Sequence, residues 1–236
     1  MNIGLILAGG CGARMEQDVP KQFINVYDKP IILYTLEAFQ KHPDIDAIIV
    51  TCLDGWQEIL RAYAEEDNIT KLKWIVTGGH NGQESTRHAL DVLEKECSEE
   101  DLVIIHDGIR PNISHEIISN AIVSCKRYGS GLAAIRCAET VIETADRKSG
   151  NKNVDRDTIM RIQTPHVFTL GKLLWAHGEA AKRGITEATT ASSLMIDLGE
   201  TMHFSIGSEK NVKITTVDDI EIFKALLKSS KEDWLK

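Results

Sequence analysis

Leu5-Ile-Leu-Ala-Gly-Gly-Cys-Gly-Ala-Arg-Met-Glu-Gln-Asp-Val-Pro-Lys-Gln22 is the stretch whose reading decides the fold. The apolar run that opens it predicts a strand over Ile3–Ala8 emptying straight into a glycine-rich turn. Gly9, Gly10 and Gly12 let the backbone come close to a ligand, and the N–H groups of such a turn can point at phosphate oxygens. Arg14 and Lys21 add two cations to the same loop, which suits a polyanion such as a nucleoside triphosphate. The commoner glycine loops do not fit. A dinucleotide fingerprint counted from Gly10 needs Gly or Ala where Met15 stands, and no Gly-Lys-Ser/Thr closes a P-loop.

Outward from this unit, short β-rich runs alternate with amphipathic segments. Strands are expected at Ala47–Cys52, Trp74–Thr77, Leu102–His106, Gly131–Arg136 and around His203–Ile206. Helical spacing covers Ile31–Phe39, Gln57–Glu65, Ser85–Glu96 and Ser114–Tyr128, the second with Ile59, Leu60 and Tyr63 on one face. Asn81 with Glu84, and Thr216 with Asp219, read as helix starts, the latter opening a helix over Val217–Leu227. Strands separated by helices imply an α/β fold with a mostly parallel sheet covered on both faces, its ligands at the carboxyl ends of the strands. The polar segment from Ala138 to Thr164 breaks this rhythm. It predicts a protruding β-hairpin, with Thr140–Glu143 and Thr158–Ile162 as its arms and Gly150-Asn151 in the turn, which needs a partner to cover it. Ser229–Lys236 reads as a frayed helix end.

A chain of 236 residues with 42% hydrophobic and 26% charged residues is long enough for one well-buried α/β domain. A formal charge of −8 argues against a general binder of nucleic acid or of membrane surfaces, so an anionic ligand must meet a local cation cluster. No apolar run reaches the length of a membrane span, and no signal peptide is expected ahead of the first strand. Cys11, Cys52, Cys97, Cys125 and Cys137 contain no C-x-x-C pair and read as reduced thiols of a cytoplasmic protein. Cys11 sits in the glycine loop without a base partner in its context.

His106-Asp107-Gly108-Ile109-Arg110-Pro111 puts Asp107 at the carboxyl end of a strand. A carboxylate facing a triphosphate makes chemical sense with Mg²⁺ between them, because that ion binds through one or two carboxylates plus phosphate oxygens. The alternative is a turn residue paired with Arg110. Gly78-Gly79-His80-Asn81-Gly82, with Ser85 in the next helical turn, offers backbone groups and a hydroxyl to a nucleobase or ribose, or is simply a tight turn. Lys213, in Asn211-Val-Lys-Ile-Thr-Thr216, is either a third cation for the same pocket or a solvated surface lysine. Thr189-Thr-Ala-Ser-Ser193 supplies four hydroxyls that suit phosphate, polyol or a capping turn.

Set in order, the glycine turn with Arg14, Pro20-Lys21-Gln22, Gly78-Gly79, His106–Pro111, Val154-Asp155-Arg156, Gln163-Thr164-Pro165 and Asn211-Val212-Lys213 resemble the cytidylyltransferase family that includes the 2-C-methyl-D-erythritol 4-phosphate and ribitol 5-phosphate enzymes. The resemblance covers nearly the whole chain. It implies a single Rossmann-like domain over residues 1–236, an arm-exchanged homodimer through the 138–164 hairpin, and Mg²⁺-dependent use of CTP. Carried over residue by residue, it implies that Arg14, Lys21 and Lys213 hold the triphosphate and stabilise the transition state. Ala8, Gly9, Gly10, Gly12, Gly79, His80, Ser85, Asp107 and Gly108 would surround the nucleotide, with Asp107 also on the metal. Thr140 and Arg156 of a neighbouring subunit, with Thr189, would grip the acceptor. Methylerythritol phosphate stands slightly ahead of ribitol phosphate on the Val154-Asp155-Arg156 motif. Three positions depart from the family pattern: Gly82 replaces an arginine, Thr190-Ala191 replaces two acids, and Ile159-Met160 replaces Leu-Trp. A sugar-1-phosphate nucleotidyltransferase and a non-catalytic nucleotide-binding regulator are the competing readings.

Overall fold

The structure, a computed structural model, describes residues 1–10 and 19–231. In chain order the strands are β1 (Asn2–Ala8), β2 (Asn25–Val26), β3 (Lys29–Pro30), β4 (Ala47–Cys52), β5 (Leu72–Thr77), β6 (Leu102–Asp107), β7 (Gly131–Arg136), β8 (Val141–Glu143), β9 (Lys152–Val154), β10 (Met160–Thr169) and β11 (Phe204–Ile206). The helices are α1 (Ile31–Lys41), α2 (Gln57–Glu66), α3 (Gly82–Glu96), α4 (His115–Tyr128), α5 (Leu170–Arg183), α6 (Ala191–Asp197) and α7 (Val217–Lys231).

Seven strands form one sheet in the order β11-β7-β10-β6-β1-β4-β5. All neighbours run parallel except β10, which is antiparallel to both β6 and β7. β1 is an inner strand, fifth of the seven: the chain goes first to β4 and β5 on one side, then returns to β6 on the other. That reversal leaves a crevice at the carboxyl end of β1, the place where sheets of this kind bind ligands.

The apolar strands are buried on both faces, as parallel sheets require. Ile6, Ile48 and Ile104 face α1, α2 and α4, while Ile3, Leu5, Ile49 and Val103 face α3, α5 and α6. A third cluster seats α7, through Ile220 and Phe223, on Ile31, Ile109 and Ile214 beside the crevice. α2 buries Leu60 and Ala64 and leaves Ile59 41% exposed, so its inner face is centred one residue later than the spacing suggested. α3 begins at Gly82 because Asn81 caps it, as its pairing with Glu84 suggested, accepting from Glu84 N at 2.9 Å.

The polar 138–164 segment does contain an antiparallel ribbon, but its second strand is not Thr158–Ile162. β8 pairs with β9, Val141 opposite Val154, and the intervening turn is organised by Asp146, which accepts from Lys148 N, Ser149 N and the Thr144 and Ser149 hydroxyls. Met160–Ile162 instead join β7 in the main sheet as the start of β10. The reason is burial: β10 continues into Val167 and Phe168, both fully buried, and such a strand gains more in the sheet than on a solvated arm.

Candidate active site

The crevice is a cavity of about 940 Å³. Its walls come from the turn after β1 (Ala8, Gly9, Gly10) with Lys21 and Gln22, from the turn after β5 (Gly79–Gly82) with Ser85, and from Asp107 and Arg110 after β6. Gln163, Thr164 and His166 of β10, the Thr189–Ser193 segment and Lys213 complete it.

The two glycine turns are packed against each other. A Cβ on Gly78 would lie 2.8 Å from Gly9 Cα, so Gly78 has to be glycine if both turns are to reach the crevice. The buried Gln22 side chain ties off the first turn, donating to the carbonyls of Ala8 (2.8 Å) and Gly10 (3.1 Å). Ser85 shapes the second: its hydroxyl accepts from Gly79 N at 2.9 Å and donates to the Asn81 carbonyl at 2.8 Å. Asn81 and Gln83 then tether the segment before α6, through the Thr186 and Ile185 carbonyls and Ala188 N. That wall of the cavity is thus held to the first turn of α3. Thr190 caps α6 in a reciprocal pair with Ser193.

Asp107 gathers the cations. Its Oδ2 accepts from Arg110 Nε at 2.9 Å and its Oδ1 from Lys213 Nζ at 3.1 Å. Burial pushes its carboxyl up, but the Lys213 and Arg110 charges outweigh that and hold it at about 2. Asp107 is the turn partner of Arg110 that the second reading described, and it also lines the crevice. Behind it, Asp107 N donates to Thr164 Oγ1 at 3.1 Å, Thr164 bonds His106 Nδ1 at 3.0 Å, and His106 Nε2 bonds the Arg110 carbonyl at 3.1 Å. The carbonyl needs a donor, so this network assigns the Nε2–H tautomer, with Nδ1 accepting from Thr164. Burial lowers His106 to about 4 and keeps it neutral.

Lys213 thus lines the cavity and pairs with Asp107 while remaining 41% exposed. Ala8, Gly9, Gly10, Lys21, Gly79, His80, Ser85, Asp107 and Thr189 also line the cavity. Gly108 does not. Its N–H donates to the Leu7 carbonyl at 2.9 Å, and it packs the turn against β1. Thr140 and Arg156 are exposed, flank the β8–β9 ribbon and do not line the cavity, the Arg156 guanidinium donating to the Ala138 carbonyl at 2.9 Å. Cys11, Gly12 and Arg14 fall outside the described residues. His166 was missed: it is an isolated histidine inside a strand, with no local pattern to mark it.

A divalent cation fits this donor set only as an ion shared with a bound nucleotide. Asp107 offers one ionised carboxylate, and among the described residues no three His, Cys, Asp or Glu side chains stand close enough to cage a metal.

Residues 3–229 match the IspD family, described as 2-C-methyl-D-erythritol 4-phosphate cytidylyltransferase. The chain is 40% identical over 233 residues to a ribitol-5-phosphate cytidylyltransferase of Lacticaseibacillus paracasei, covering 98% of this chain and 100% of that one. It is 36% identical to a 2-C-methyl-D-erythritol 4-phosphate cytidylyltransferase of Clostridium tetani, covering 93% and 87% of the two chains. The crystal structure of the Francisella tularensis 2-C-methyl-D-erythritol 4-phosphate cytidylyltransferase superposes with a TM-score of 0.78 at 28% identity, over 95% of this chain and 99% of that one. A whole-length family match, on a fold whose glycine turns, Lys21, Asp107 and Lys213 meet in one crevice, places this chain in the IspD family of cytidylyltransferases, which are nucleotidyltransferase enzymes.

Proposed function

We propose that the protein transfers CMP from CTP to a polyol phosphate, with ribitol 5-phosphate as acceptor and pyrophosphate as leaving group. The observation that carries this reading is the meeting of two glycine turns, Lys21, Lys213 and Asp107 in a single cavity of a chain of this family. Relatives named for ribitol 5-phosphate reach 40% identity and those named for methylerythritol phosphate 36%, which favours ribitol 5-phosphate. The Thr189–Ser193 wall agrees: it carries no carboxylate, and while Thr190, Ser192 and Ser193 bond one another in the α6 cap, Thr189 lines the cavity with its hydroxyl outside that cap. Methylerythritol phosphate is the second reading, supported by Ile162 and Ile196, which give the same wall apolar side chains for a methyl branch.

The chemistry asks little covalent help from the protein. A phosphate monoester is already an anion, so its oxygen attacks the α-phosphorus without a general base while the bond to pyrophosphate breaks. Repulsion between anions is the obstacle, and Lys21 and Lys213 relieve it from fixed positions. Asp107 would hold Mg²⁺ against the triphosphate, where the ion would neutralise phosphate charge. A regulator that only binds nucleotide has no use for this whole cationic set.

Thr140 and Arg156 reach a cavity in this reading only if the β8–β9 ribbon crosses to a second copy, which makes the enzyme an arm-exchanged homodimer. No helix among the described residues is long and apolar enough to cross a membrane, and Cys52, Cys97, Cys125 and Cys137 are free thiols, which suits work in the reducing cytoplasm. The test is pyrophosphate release from each of the four ribonucleoside triphosphates against a panel of polyol phosphates and sugar 1-phosphates. Turnover with CTP and ribitol 5-phosphate is expected. Release with a sugar 1-phosphate, or with none of the acceptors, would overturn the reading.

A further inference from the structure

We infer that Asn211 is a positioning residue for Lys213: its buried amide ties the chain, two residues ahead of that cation, to β10, and so fixes where the Lys213 ammonium meets Asp107. The inference rests on Lys213 acting in the transfer proposed above.

Asn211 is completely buried and does not line the cavity, so it cannot touch substrate. Its Nδ2 donates to the Thr164 carbonyl at 2.8 Å. Around it the segment from Ser208 to Ile214 is held at several more points. Gln163 of β10 imitates a backbone pair, donating to the Ser208 carbonyl at 2.8 Å and accepting from Ser208 N at 3.1 Å. Arg110 Nη1 donates to the Asn211 carbonyl at 2.7 Å, and Ile214 N to the Ile109 carbonyl at 2.9 Å. Arg110 and Lys213 are also the two cations on the Asp107 carboxylate, so the same segment carries one of them and anchors the other.

Stability alone does not account for an amide here. Asn211 Oδ1 is buried with no partner, a costly state for a polar atom. An apolar side chain of equal volume would remove that orphan but leave the buried Thr164 carbonyl without its donor, so the side chain's one good bond is the one to β10. What the amide adds is the bond to β10. Lys213 has a long flexible stem and is 41% exposed, so only a fixed base gives its ammonium a defined position.

The test is a double-mutant cycle read as kcat for pyrophosphate release, with melting temperature followed for each protein. Asn211→Ala removes the bond, and Asn211→Leu removes it while keeping the volume, so that one folded variant remains if the other fails. Either should lower kcat about tenfold or more in the otherwise wild-type enzyme, since a small misplacement of a catalytic group is costly. On top of Lys213→Ala the same change should cost less than about twofold, because a residue acting through Lys213 has nothing left to position. The same fold-loss in both backgrounds, or wild-type kcat in a folded Asn211 variant, overturns the inference alone. Wild-type kcat in Lys213→Ala itself would overturn the role of Lys213 in the proposed transfer, and this inference with it.

Discussion

At the scale of single residues, the proposed transfer turns on two lysines that approach from opposite ends of the chain. Lys21 follows the first glycine turn and Lys213 precedes the last helix, yet both line one cavity. Charge builds on the bridging oxygen to pyrophosphate only as that bond breaks, so Lys21→Ala or Lys213→Ala should depress kcat by about 10²-fold or more with a much smaller effect on CTP affinity. Steady-state kinetics beside nucleotide titration separates the two effects, and an unchanged kcat would remove that lysine from the mechanism. Asp107 makes a different prediction. Chelation should abolish turnover, and Asp107→Asn should raise the Mg²⁺ concentration needed for half-maximal rate. Full activity in excess chelator would leave Asp107 as the partner of Arg110 and Lys213 and nothing more.

At the scale of elements, turns line the cavity and helices hold them. The Gly9–Gly78 contact couples the turn after β1 to the turn after β5. Gly78→Ala would have to part them, since its Cβ would meet backbone rather than a movable side chain. It should cost about 1–3 kcal/mol of stability, measured by urea unfolding, and raise the KM for CTP. A folded variant with wild-type KM would show that the turns do not need each other. The β8–β9 ribbon yields a test of subunit sharing. Mixing Arg156→Ala with Lys21→Ala should restore about a quarter of wild-type activity in a freely exchanging two-fold dimer, because roughly half the dimers are mixed and each keeps one intact site. Verified mixed dimers as inactive as their parents would mean that Arg156 works in its own subunit or not at all.

The whole molecule should register acid through its buried histidines. Burial holds His106, His166 and His177 at about 4, against 6.5 for an unburied imidazole. Between these values the unfolded chain takes up protons that the folded chain refuses. Stability is therefore complete above about pH 6.5 and falls as the pH drops toward 4, by at most about 1.4 kcal/mol per pH unit for each proton. Asp107 acts below that window: its stabilisation is present above 3.8 and is lost as the pH falls through about 2. Urea midpoints measured across the range from about pH 7.5 to pH 4.5 check this, and a flat profile would mean the imidazoles are not held neutral by burial.

Taken alone, the sequence determined the alternation of parallel strands and helices, the phosphate-seeking turn and the candidate cations. Those features are local: apolar runs, caps such as Asn81 and glycine turns are set by neighbours a few residues apart. What only the tertiary structure decided depends on residues far apart in the chain. β10 escaped notice because Met160–Ile162 look like a polar arm until β7 is beside them, and Pro165 interrupts the pattern of an ordinary strand. Ile59 and Leu60 are equally apolar, and only the position of the sheet selects Leu60 for burial. Lys213 has the composition of a surface lysine; it becomes part of the site because Gln163, Asn211 and Arg110, brought together by the antiparallel course of β10, hold its segment against Asp107. Hydrogen bonds over such separations leave no periodicity in the chain, since each partner is specified by the packing of the sheet and not by its own neighbours.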